Sequence, residues 1–142
     1  FKREFENYQC FQKHMSNSQA LGSHILMDFR KYNPSIENDG FEVLKIMKAA
    51  VQKSGVREVH SHVEEFDGKL SPVGFASVVL IDESHITAHC YSEREILAID
   101  VFTCGPNSPD KIANEIHRSL KSMCPNLELI SMEKIERFIL GD

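Results

Sequence analysis

Residues 82–105 concentrate the side chains able to do chemistry: Ser84, His85, His89, Glu93 and Cys104, with Glu83 and Asp100 beside them. A hydroxyl is a latent nucleophile, an imidazole a base near neutral pH, and a thiol a proton donor that can recover its proton. Two apolar, strand-like runs flank the stretch, Val78–Ile81 before it and Ile96–Phe102 after it, so these groups are expected on a rigid sheet.

The elements that position these groups follow from periodicity. Ile25, Met27 and Phe29 alternate as one strand face over residues 22–29, with His24, Leu26 and Asp28 on the other. Phe41, Leu44, Met47, Ala50 and Val51 keep helical spacing to residue 54, and Gly55 is placed to end that helix in a left-handed conformation. Strands are expected at 56–66 and 73–81, joined through Asp67-Gly68-Lys69, and the site stretch supplies two more. Ser108-Pro109-Asp110 reads as a helix start, and Ile112, Ile116, Leu120 and Met123 as the buried face. Residues 127–130 are expected to return to the sheet, with 132–141 an exposed strand or a terminal helix. This order implies an α+β fold, an antiparallel or mixed sheet with two helices packed on one face. An apolar open face on such a sheet is expected to pack against a second copy.

Composition limits the alternatives. The length suits one domain, taken as residues 21–142 after an N-terminal extension of 1–20 that is either a short amphipathic helix or a lead-in. A net charge of −5 argues against phosphate-backbone binding, so nucleic acid is not an expected partner. No apolar run approaches a membrane span and no leader is evident, so a soluble, cytoplasmic protein is expected. Cys10, Cys90, Cys104 and Cys124 form no Cys-x-x-Cys pair and are expected to be reduced. His60 and His62 share a strand face and with His85 or His89 suggest zinc, but no Cys or acid at ligand spacing completes the set, and no metal is expected. Glu64, Glu65, Glu93 and Glu95 as paired acids for glycoside chemistry are more simply a solvated surface.

The run Glu83-Ser84-His85, His89 five residues after the serine, and Asp100-Val101-Phe102-Thr103-Cys104-Gly105 resemble the prokaryotic S-adenosylmethionine decarboxylase proenzymes. The likeness extends from about Gly22 to about Cys124 and includes Gly22-Ser23-His24 and Leu70-Ser71-Pro72-Val73-Gly74. The resemblance implies self-cleavage between Glu83 and Ser84, with Ser84 becoming the covalent pyruvoyl cofactor that holds S-adenosylmethionine as a Schiff base. It implies that His89 is the processing base, Cys104 the proton donor to the substrate carbon, and Glu93 the acceptor for the ribose hydroxyls. It also implies a homodimer, an αββα sandwich of cleaved protomers serving polyamine synthesis, whereas Asp100 is read as structural.

Three positions depart from the family pattern. Cys90-Tyr91-Ser92-Glu93 stands where relatives read Trp-Pro-Glu; Ala76 replaces a serine that assists processing, with Ser77 expected on the opposite face; and Leu70 falls at the aromatic that stacks on adenine. Phe66 and Phe75 are candidate replacements for that ring. Leu70 motivates the alternative of a small substrate such as arginine or ornithine, and Ala76 that of an unprocessed regulatory homologue.

Overall fold

The computed structural model describes residues 19–82 and 84–141. The N-terminal extension, apart from its last two residues, and Glu83 of the expected cleavage site lie outside the described residues. Six strands and two α-helices follow in the order β1 (Ala20–Arg30), α1 (Asp39–Ser54), β2 (Glu58–Phe66), β3 (Gly74–Ile81), β4 (Ser84–Tyr91), β5 (Ile96–Cys104), α2 (Pro109–Met123) and β6 (Glu128–Ile139), with a 3-10 turn at Ser92–Arg94. The strands form one sheet in the order β2-β3-β4-β5-β1-β6. Every neighbouring pair is antiparallel, so the mixed option drops out.

Both helices cover the same face. Val43, Met47 and Val51 of α1, with Ile112, Ile116 and Leu120 of α2, meet Ile25, Met27, Phe75, Val79, Ile86, Ile99 and Val101 in one buried cluster. The period of two sends every second residue of β4 and β5 into this core, and every other one to the face without helices. Gly55 ends α1 at φ 77°, a left-handed value that a Cβ would disfavour. Ser108 caps α2 by accepting from the Asp110 amide, as its sequence implies. Glu65 is half-buried rather than part of a solvated acid patch; burial raises its pKa, and the nearby Gly40 and Phe41 amides of the first turn of α1 oppose the shift.

Most boundaries shift by one or two residues, as where β1 runs Ala20–Arg30 rather than 22–29. β2 begins at Glu58 rather than Val56, and β6 is one strand through the region where strand and helix were both open. Among the described residues, no helix is long and apolar enough to cross a membrane.

Candidate active site

Ser84 is the first residue of β4, and Ile81 pairs with it across the turn, so it stands at the tip of the β3–β4 hairpin. It lines a cleft of about 440 Å³ together with Arg57, Asp82, Thr103, Cys104 and Asn107. Arg57 and Asp82 form an ion pair at 2.6 Å along this wall, and the Thr103 hydroxyl donates to the Asn107 carbonyl at 2.7 Å, shaping the loop after β5. Cys104 ends β5 half-buried beside Gly22 of β1. One cleft therefore brings together the two groups assigned to nucleophile and proton donor.

His89 is elsewhere. It lies on the same strand five residues along, about 17 Å at an ordinary strand rise. Ser84 shares its parity with buried Ile86 and Ala88, whereas His89 projects from the opposite face and is exposed. Ala76 is its direct neighbour across β3 and Ala98 its neighbour across β5, so no hydroxyl flanks the imidazole from either strand. Ser77 cannot substitute, because it is buried on the helix face and donates to Met47 Sδ at 3.5 Å. Glu93, in the exposed 3-10 turn just past β4, lies toward the same end as His89.

The aromatic question is partly resolved by register. Leu70 is fully exposed in the β2–β3 connection, and Phe75 is a core residue on the helix face, which removes it as a ring for a ligand. Gly74 pairs with Phe66 on one side and Tyr91 on the other. A Cβ at Gly74 would lie 1.9 Å from the Cys90 carbonyl oxygen, so only glycine permits that approach. Phe66 is half-exposed and Tyr91 about half exposed, leaving two rings on either side of a position with no side chain. Tyr91 was not singled out from sequence; its relation to Phe66 exists only once the strands are in register.

Between the two ends the open face carries a polar cluster. Arg137 Nη1 donates to His24 Nδ1 at 3.0 Å, and since a guanidinium only donates, the His24 Nε2 hydrogen faces Asp100, 3.5 Å away. Thr87 donates to Asp100 at 3.1 Å, which ties β4 to β5 at this point of the open face. His85 and His24 both pack on Phe102, and Arg137 lies 5.0 Å from the centre of that ring. Burial, then the neighbouring His24, pushes the His85 pKa down from its ordinary value; Asp100 opposes the shift and Arg137 adds to it.

The S-adenosylmethionine decarboxylase family model matches residues 23–133, which is most of the chain and includes Ser84, His89, Glu93 and Cys104. The chain belongs to the S-adenosylmethionine decarboxylase family. It is 39% identical over 106 residues to the S-adenosylmethionine decarboxylase proenzyme of Caldicellulosiruptor saccharolyticus, covering 72% of this chain and 81% of that one. It is 37% identical over 94 residues to the proenzyme of Thermodesulfovibrio yellowstonii, 66% of this chain and 67% of the relative. The crystal structure of the adenosylmethionine decarboxylase from Aquifex aeolicus superposes with a TM-score of 0.66 at 27% identity, over 87% of this chain and 96% of that one. The α+β sheet and paired helices are thus those of an adenosylmethionine decarboxylase, and the sequence resemblance is borne out at the level of family and fold.

Proposed function

We propose that this protein is a self-processing S-adenosylmethionine decarboxylase that makes the aminopropyl donor for polyamine synthesis. The observation that carries the reading is the cleft shared by Ser84 and Cys104 in a chain of this family. Processing would begin with attack of the Ser84 hydroxyl on the Glu83 carbonyl, exchanging the peptide bond for an ester. Loss of the Ser84 α-proton then expels the Glu83 carboxylate, and hydrolysis of the resulting dehydroalanine releases ammonia. Ser84 fits this task because it is half-buried, opens on the cleft and begins a strand that holds it in place. A pyruvoyl group at this position supplies the carbonyl that delocalises the electron pair left when carbon dioxide departs.

The chain's own residues divide the remaining work. The Cys104 thiol, in the same cleft, returns a proton to the substrate carbon. Glu93 accepts from the ribose hydroxyls, and Phe66 and Tyr91 offer the ring faces that Leu70 lacks. His89 removes the serine α-proton, but about 17 Å of strand separates it from Ser84 of its own chain. The reading therefore includes a homodimer packed open face to open face, in which His89, Glu93, Phe66 and Tyr91 of one copy complete the Ser84–Cys104 cleft of the other. Ala76 opposite His89 slows cutting in this scheme, and A76S is expected to speed it.

Complementation tests the arrangement. Expressed alone, S84A and H89A chains should each remain uncut in an intact-mass spectrum. Co-expressed, the mixed dimer holds one site with both Ser84 and His89, so a fraction of the H89A chains should appear as two fragments split before Ser84. Decarboxylation of carboxyl-labelled S-adenosylmethionine, and not of arginine or ornithine, should accompany cutting of the native protein. Turnover of only the small amino acids would overturn the substrate assignment.

A further inference from the structure

β6 is the last strand of the sheet, and among the described residues no strand pairs with its outer edge. An open edge of this length is a template for another strand, and proteins usually protect it with charges, bulges or a covering segment. Two irregularities delimit its regular part. The register against β1 shifts at Asp28/Phe29, opposite Ile130, and Phe138 has φ 51°, a left-handed value that interrupts extended geometry one residue before the strand ends. Between them Glu133-Lys134-Ile135-Glu136-Arg137 pairs without interruption to β1, and all five residues are exposed.

The order of charges in that stretch is complementary to its own reverse. We propose that this edge binds β6 of a second copy, antiparallel, about a two-fold axis through Ile135. Ile135 then faces itself, Lys134 faces Glu136 and Glu133 faces Arg137, each pairing occurring twice by symmetry. All four charged pairs are of opposite sign, the arrangement that stabilises directly opposed residues in a ladder. Slipping the register in either direction loses this. A shift of one residue sets Glu133 against Glu136, or Lys134 against Arg137. A shift of two sets Lys134 against Lys134, or Glu136 against Glu136. Charges that repel other strands and other registers thus select a single one.

Contacts within the chain leave the donors needed. Lys134 bonds Asp110 at 2.6 Å, using one of three N–H groups, and Arg137 gives one of five to His24. Glu133 and Glu136 lie at exposed positions of the edge strand. The edge also lies to the side of the open face, so pairing there is compatible with a face-packed dimer and joins two six-stranded sheets into a continuous one. The inference stands apart from the decarboxylase reading.

Sedimentation velocity of the full chain over a range of concentrations tests it. The native protein should form a species of twice the mass reached by E136K at the same concentration. E136K opposes lysines at both symmetry-related pairs and K134E opposes glutamates, so each should weaken association about tenfold. Mixed in equal amounts, the two variants regain opposite charges at both pairs and should recover the native mass. A native mass equal to that of E136K, as when another segment covers the edge, would overturn the proposal, and so would a mixture that fails to associate. Register has its own readout, because directly opposed Cα atoms lie within disulfide reach. I135C should form a disulfide-linked dimer on mild oxidation and S131C should not; the reverse pattern overturns the register.

Discussion

The two faces of the sheet are built from the same strands by different rules. On the helix face every inward residue of β4 and β5 is apolar or small, and Ile86, Ile99 and Val101 are essentially sealed from solvent. On the open face the alternate residues of those strands include His85, Thr87, His89, Asp100 and Cys104, polar side chains interspersed with Ala98 and a buried Phe102. The helix face holds the fold and the open face carries most of the polar groups, while Ser84, of helix-face parity, reaches the cleft from the end of its strand. One strand serves both because side chains alternate. Substitutions one residue apart should therefore fail in different ways.

The sharpest contrast comes from C104A. It should leave the chain cut at Ser84 and the thermal midpoint near that of the native protein, while decarboxylation falls about 10²- to 10⁴-fold, the usual contribution of a positioned proton donor. A variant of unchanged activity would move the proton donor to another residue. On the helix face, Ile86→Ala should cost about 2–5 kcal/mol in denaturant unfolding, because a sealed side chain leaves a cavity. Thr87→Ala, the next residue, removes one hydrogen bond to Asp100 and should cost only about 1 kcal/mol. Equal losses for the two would break the distinction between the faces.

A smaller effect is expected from Tyr91→Ala. Stacking of an aromatic on a base contributes about 1–3 kcal/mol, so KM for S-adenosylmethionine should rise roughly tenfold with cutting unaffected. The smallest concerns pH. The folded His85 pKa lies below its ordinary 6.5, so the unfolded chain binds the proton more tightly. The His85 contribution is complete above pH 6.5 and is lost as pH falls through the folded value. H85Q should flatten that part of the stability profile measured by urea unfolding from pH 7.5 to 5.

Much of the helix face was legible in the sequence because burial imposes a period. Met47 and Val51, or Ile112 and Ile116, show spacing that only a helix packed on one side explains. β6 was ambiguous because it overhangs the helices at the sheet edge, where neither set of alternate residues is buried beyond Ser131 and the period fades. The site residues were legible as types and order, but not as distances. Five residues between Ser84 and His89 could place them together in a turn or about 17 Å apart in a strand, and only the uninterrupted β3–β4 ladder decides. Tyr91 was hidden for a related reason: its relation to Phe66 passes through Gly74 of a third strand.

The strand order has a mechanical consequence for a chain cut before Ser84. The earlier piece would own β1, β2 and β3, the later piece β4, β5 and β6, yet β1 lies between β5 and β6. The pieces are interwoven, and separating them means unzipping β3 from β4 and pulling β1 out of both its ladders. Once apart, they would have to find each other by diffusion, with no hairpin to hold β3 and β4 in register. Unfolding of the cut protein should then be a one-way event whose recovery depends on concentration, whereas the uncut chain can refold alone. Self-cleavage at this point would make the fold a product of the order of events, assembled as one chain and afterwards preserved as two.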